Sequence, residues 1–378
     1  MKIVIAPDSF KESMTAAEAA AAMARGVRAV VPDAEVVEIP MSDGGEGFTA
    51  AVASSLGAQV RRVPTVDALG RPVTGLLAVA GRTAAFEMAT AAGLELIAPG
   101  ERDVRRADTR GVGLMIRAAL DAGAQRLLLG IGGSATNDGG AGMLAELGAR
   151  FLDASGRRIG TSPDALAALA SVDLRGMDPR LAALRVEVAC DVDNPLLGER
   201  GASAVFGPQK GAAPEDVEFL DSVLERWAKA SGRRELARRP GAGAAGGLGF
   251  ALLALLGAVL EPGVELVSRA VGLAEAVTGA ELVLTGEGSV DAQTAAGKTP
   301  AGVARTAAAR GVPTVILAGR VEPDADALLN TGCVAILSVS QGRAQSLAQM
   351  LRAAPANTER AAATVMRLWT RRPGPAAI

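Results

Sequence analysis

The sequence predicts an α/β protein of two domains, a Rossmann- or flavodoxin-like parallel sheet with a second, mixed α/β domain inserted into it. Three observations predict it. Short apolar, β-branched runs at 2–6, 35–39, 281–285, 313–320 and 333–339 alternate with helical stretches, the pattern of a parallel sheet. Between the second and third of these, residues 61–88 break into short strand-like pieces separated by glycine turns, which read as hairpins. The chain has 378 residues, more than one hydrophobic core usually holds. The expected division is 1–60 with 270–378 as the parallel-sheet domain and 61–269 as the insertion.

Composition removes whole classes of function. The net charge of −2 exerts no long-range pull on nucleic acid or an anionic membrane, and with 2% aromatics and no Tyr, base-stacking platforms are hard to build. There is no His, so His-based nucleophile activation, His-ligated zinc and a His general base are excluded, and a base must be Asp, Glu or Lys. Cys190 and Cys333 lie far apart beside apolar neighbours and read as reduced thiols. The first residues carry too short an apolar run for a signal peptide, and 248–260 suits a buried helix better than a membrane span. A soluble, cytoplasmic protein is expected.

The first strand ends in Pro7-Asp8-Ser9-Phe10-Lys11-Glu12-Ser13, ahead of a helix over 15–30 whose Thr15 and Glu18 have capping-box spacing. Ligands of open α/β sheets bind outside such strand ends. Lys11 reads either as a ligand-facing cation or as a solvated loop lysine. After the second strand, Ser42-Asp43-Gly44-Gly45-Glu46-Gly47 repeats the pattern, with Asp43 equally readable as a helix cap. Arg110 stands at the start of a helix, where its guanidinium suits a carboxylate or is simply exposed.

The centre of the chain is Gly130-Ile131-Gly132-Gly133-Ser134-Ala135-Thr136-Asn137-Asp138-Gly139-Gly140-Ala141-Gly142-Met143. It reads as a strand-to-helix turn whose glycines admit a ligand and whose helix directs free N–H groups at an anion such as phosphate. Ser134, Thr136, Asn137 and Asp138 add polar groups that a structural turn does not need in such density. Further on, Cys190-Asp191-Val192-Asp193-Asn194-Pro195 places two aspartates beyond a strand, which suits magnesium or proton abstraction, or else a turn. Residues 241–246 have the letters of a dinucleotide fingerprint but follow Arg238-Arg239-Pro240 rather than a strand. Gly297-Lys298-Thr299 nearly spells a Walker A loop, but its first glycine falls on Ala292.

As a set, seven stretches resemble the bacterial glycerate kinase family, of the kind that makes 2-phosphoglycerate from D-glycerate. They are 6–13, 42–47, 130–143, 189–196, 206–211, 240–249 and 285–298, and the resemblance covers essentially the full chain. It implies ATP- and magnesium-dependent phosphoryl transfer to a hydroxyl of a small hydroxy acid, in a cleft between two α/β domains, by an enzyme that is not of the Walker type. The chain departs from the family at Val112, where a hydroxyl residue is usual, which puts any ligand contact from that position in doubt.

Under that resemblance the expected roles are as follows. Asp191 orients or deprotonates the acceptor hydroxyl, with Asp43 as second choice, and Lys11 screens the migrating phosphoryl group. Arg110 holds the substrate carboxylate, with Ser9, Asn137 and Asp138 as further substrate-binding residues. Backbone N–H groups of Gly132, Gly133 and Ser134, and of Gly286, Glu287 and Gly288, take the ATP phosphates, and Glu287 and Asp193 are candidate magnesium ligands. Expected partners are D-glycerate and ATP, with neither nucleic acid nor membrane; homodimer formation is left open. The rival readings are a 3-phosphoglycerate-forming kinase, a non-catalytic hydroxy-acid sensor and, on 241–246 alone, an NAD-dependent dehydrogenase.

Overall fold

The computed structural model describes residues 1–295, 297–340 and 346–371. The chain divides into two compact units, Met1–Asp43 with Ala50–Leu56 and Val264–Ile378, and Gly44–Thr49 with Gly57–Gly263. The loop 44–49 thus groups with the second unit, and the boundaries lie a few residues before those read from composition.

The first unit holds a five-stranded sheet in the spatial order Cys333–Ser338, Thr314–Val321, Leu282–Val290, Lys2–Ile5, Glu35–Glu38, with every neighbouring pair parallel. Numbered along the chain within this unit, the order is 5-4-3-1-2, the flavodoxin arrangement. Its direction of winding reverses between the first and third strands, where a crevice opens at their carboxyl ends. Alternation along the strands sends Ile3, Ile5, Leu282 and Leu284 to one face, against Met23 and Val27 of the helix Ala16–Arg28 and Met366 of the helix Leu347–Trp369. The opposite face packs Ile316 and Ala318 on Ala304 of the helix Thr299–Ala308 and on Leu328. The helix Ala16–Arg28 begins with the capping box read from the sequence, Thr15 accepting from the Glu18 N–H and Glu18 from the Thr15 N–H.

The second unit holds a six-stranded sheet in the order Val259–Glu261, Arg185–Ala189, Arg126–Gly130, Thr83–Glu87, Pro72–Ala80, Gln59–Val66. The first four are parallel and the last two are added as an antiparallel meander, the hairpins expected over 61–88. Its core joins Phe86, Leu127 and Leu129 to Trp227, Phe151 and Phe250, with Trp227 between the two phenylalanine rings. The stretch 153–179 contributes the strand Ser171–Asp173, which pairs with Arg150–Leu152. Its three residues are too few to show a period in sequence. Among the described residues no helix is long and apolar enough to cross a membrane.

Candidate active site

In the first unit, the strand Lys2–Ile5 runs straight into Ala6-Pro7-Asp8, and the Asp8 N–H donates to the carbonyl of Gly286 on the neighbouring strand at 2.8 Å. This places Asp8 at the crevice where the sheet reverses. Its side chain is 7% exposed; Oδ1 accepts from the Ser9 N–H and Oδ2 from the Thr299 hydroxyl. Burial, and then the charge of Asp43, push its carboxyl up to about 7, against the lowering effect of those two hydrogen bonds. Asp43 is brought alongside because the Met41 N–H donates to the Pro7 carbonyl at 2.8 Å.

Glu287 completes an acidic group. Burial raises its carboxyl, the Thr294 hydroxyl donates to it at 2.7 Å, Lys298 opposes the rise, and Asp43 and Asp291 add to it. Gly286 and Gly288, expected in a loop of free N–H groups, instead lie inside the strand Leu282–Val290, which runs on beside Thr314–Val321. Gly286 is required there because a Cβ would fall 1.8 Å from the Leu317 carbonyl oxygen. Gly288 lies against the backbone of Phe10 and Lys11, where a Cβ would meet the Lys11 nitrogen at 3.3 Å. Ser9 is half-buried and Lys11 exposed on that same loop.

In the second unit, three adjacent parallel strands end together, with Glu87 and Ala189 both in register with Gly130. From Gly130 the glycine-rich turn emerges with two different halves. Gly132 and Gly133 are exposed and Ser134 nearly buried, held by a bridge to Gly93. Thr136, Asn137 and Asp138 are wholly buried. The helix that follows, Ala141–Glu146, is only six residues long, and the anion at its start is the chain's own. Asp138 accepts from the N–H groups of Gly140, Gly142 and Thr109 at 3.2, 2.9 and 2.9 Å and from the Thr109 hydroxyl at 2.7 Å. Burial, and then Asp108, raise its carboxyl to about 6, against these hydrogen bonds. Asp138 is therefore placed to hold the turn together, and Asn137, which donates to Ser203 Oγ at 3.0 Å, is likewise turned inward.

Arg110 opens the helix Arg110–Asp121, with Nε on both oxygens of Asp108 at 3.0 and 2.9 Å and its side chain about half exposed. Val112 is buried in the core of the second unit, so the residue that departs from the family pattern has no reach toward solvent. Asp191 is exposed beyond the strand Arg185–Ala189 and accepts from the Gly263 N–H at 2.9 Å. Asp193 is also exposed and pairs with Arg200 at 3.1 Å, so it would have to give up an arginine to bind a metal. Gly246, the last glycine of the fingerprint-like letters, has φ +65° and meets the Thr136 carbonyl, where a Cβ would fall 1.9 Å from the oxygen. Its role is close backbone packing rather than dinucleotide binding.

Two carboxyl groups were given no role in the reading from sequence. Asp8 sat inside a recognised motif, but its burial depends on Thr299, far along the chain. Glu87 ends a hairpin strand with no motif around it; it accepts from the Phe48 N–H at 2.9 Å, and burial raises it to about 7, opposed by that bond. Among the described residues, no group of three or more His, Cys, Asp or Glu side chains is arranged to hold a metal. Magnesium needs no such cage, since it keeps waters and binds through one or two carboxylates together with phosphates. The like-charged neighbours Asp43 and Glu287 fit that mode, because a cation would relieve the repulsion from Asp43 that adds to the effect of burial on Glu287.

One unit is a flavodoxin-ordered sheet with carboxyl groups at its crevice, and the other has strands that end in an exposed glycine turn, which is the class of an α/β enzyme. Residues 3–370 match the model of the "Glycerate kinase family". The chain is similar to the "Glycerate kinase" of Bacillus subtilis (strain 168), 48% identical over 348 residues, covering 90% of this chain and 91% of that one. It is also similar to the "Glycerate 2-kinase" of Escherichia coli (strain K12), 44% identical over 344 residues and 90% of each chain. A crystal structure described as a glycerate kinase 2 from Salmonella typhimurium LT2 superposes with a TM-score of 0.89 at 44% identity, covering 98% of both chains. The chain belongs to the glycerate kinase family and is a kinase, acting on small molecules with a nucleotide substrate.

Proposed function

We propose that this kinase transfers the γ-phosphoryl group of ATP, with magnesium, to the 2-hydroxyl of D-glycerate. The observation that carries the reading is Asp8, a buried carboxyl group at the crevice of the first sheet whose proton affinity lies near neutral pH. A group that takes a proton from a hydroxyl works best there. The name of the Escherichia coli relative, "Glycerate 2-kinase", supports the 2-hydroxyl.

In the first unit, Asp8 accepts the acceptor's proton as the acceptor oxygen bonds the γ-phosphorus and the bond from that phosphorus to the departing ADP breaks, and Thr299 holds the carboxylate in place. Asp43 and Glu287 would hold the magnesium, which would neutralise charge on the donor phosphates. Lys11 screens the migrating group. In the second unit, the exposed Gly132 and Gly133, with the buried Ser134 after them, offer N–H groups to the donor phosphates, and Arg110 holds the glycerate carboxylate in a fork. Asp191, exposed and steadied by the Gly263 N–H, orients the acceptor hydroxyl. Asp138 and Asn137 act by holding the turn. Asp193 and the strand glycines Gly286 and Gly288 are left with supporting roles.

The test is ADP release by the full chain, measured by a coupled assay. Release that requires both D-glycerate and magnesium and stops with a chelator supports the proposal. Glycerate binding seen calorimetrically without any turnover would replace it with the sensor.

A further inference from the structure

Lys210 is wholly buried at the end of the short turn Pro208–Lys210, 2% exposed, and nothing in the proposed chemistry uses it. Its Nζ donates to the carbonyl of Thr136 at 2.7 Å. Burial pulls its ammonium down to about 7, with the charge of Asp138 opposing the shift. Sinking an ammonium is costly, and one hydrogen bond to a neutral carbonyl returns only part of that cost. A methionine of similar length would fill the same space without that cost. Stability alone therefore gives no reason for a lysine.

The geometry around Thr136 does. Gly246 packs against the same carbonyl, and its own carbonyl accepts from the Gly139 N–H at 3.0 Å. The next residue, Asn137, is tied to Ser203, and the one after, Asp138, to Thr109. Three consecutive buried residues are thus held by three separate segments, directly behind the exposed half of the turn. The Thr136 hydroxyl and Asn137 Oδ1 are buried without a hydrogen-bond partner, so side-chain bonding at this point is incomplete and the Lys210 contact to the main chain weighs more.

We propose that Lys210 is a positioning residue for phosphoryl transfer: by gripping the Thr136 carbonyl it fixes the turn that presents Gly132, Gly133 and Ser134. The proposal rests on the kinase reading above. Small displacements of a phosphate-holding turn cost rate out of proportion to stability.

The experiment compares wild type, Lys210→Met and Lys210→Arg by thermal melting and by kcat and KM for ATP and D-glycerate. Wild-type inactivity would defeat the kinase reading itself and is seen before either variant is assayed. With an active wild type, the expected result is a Lys210→Met protein that melts no lower than wild type yet loses ~10- to 100-fold in kcat with KM changed less than about threefold. Partial recovery of kcat in Lys210→Arg adds support. A folded Lys210→Met with wild-type kcat overturns the proposal, as does a kcat loss that merely follows a loss of folded protein. If Lys210→Met does not fold, Lys210→Gln is judged by the same criteria. Failure of both to fold also overturns it, since Lys210 would then be a requirement of the fold.

Discussion

Asp8 couples function to stability through a single carboxyl group. Its folded value of about 7 stands above the 3.8 of an ordinary aspartate, so between those limits the folded chain keeps a proton that the unfolded chain has released. The stability this represents is fully present below pH 4 and is lost as pH rises through about 7. Asp8→Asn removes the penalty. It should melt higher than wild type at pH 8, by up to roughly 2–4 kcal/mol of stability, and no differently at pH 4. Activity should move the other way: kcat/KM of wild type climbs with pH as Asp8 gives up its proton, and Asp8→Asn flattens the profile and lowers kcat on the order of 100-fold. A variant with unchanged rate and profile would remove Asp8 from the chemistry. Asp138 is the contrasting case, because it accepts four hydrogen bonds and is not exposed. Asp138→Ala should cost roughly 2–4 kcal/mol in denaturant melts, by stranding those donors, before any change in KM is measurable.

The glycine-rich turn shows what the sequence could and could not say about an element. Its place after an apolar strand was legible from Leu127-Leu128-Leu129, and the density of polar residues marked it as unusual. That Thr136, Asn137 and Asp138 point inward was not legible, because their partners Lys210, Ser203 and Thr109 are remote in sequence. The strand Leu282–Val290 was read as ending at Thr285 for a similar reason. Its glycines look like a loop until Leu317 is known to press against them. The two halves of the turn should separate under mutation. Gly139 has φ +63° and a Cβ there would fall 2.4 Å from the Trp227 ring, so Gly139→Ala should cost roughly 2–4 kcal/mol. Gly132 has no such strain, its nearest neighbour being Gly45 Cα at 3.3 Å. Gly132→Ala should stay within about 1 kcal/mol of wild type while raising KM for ATP. Equal stability losses in the two variants would refute the division.

At the scale of the whole molecule, the five-strand parallel set was readable because each run is apolar, short and followed by a helical pattern. The spatial order that brings Asp8 beside Gly286 was not readable, since pairing of the first strand with the third leaves no local trace. The family resemblance rested on loops; it covered Asp8 without giving it a role and offered Asp193 as a magnesium ligand, which the fold leaves on the surface paired with Arg200. A ligand that binds only the folded chain must also raise its melting point. ATP with magnesium, at about 100 times its dissociation constant, should add roughly 2.7 kcal/mol, and a chelator should remove most of that gain.

The central claim is phosphoryl transfer to the 2-hydroxyl of D-glycerate, and its most direct test is the identity of the product. Wild-type chain, ATP, magnesium and D-glycerate would be incubated with enolase, which accepts 2-phosphoglycerate but not 3-phosphoglycerate. Immediate formation of phosphoenolpyruvate without a mutase is the predicted result. Phosphoenolpyruvate that appears only after mutase is added would contradict it and assign the transfer to the 3-hydroxyl.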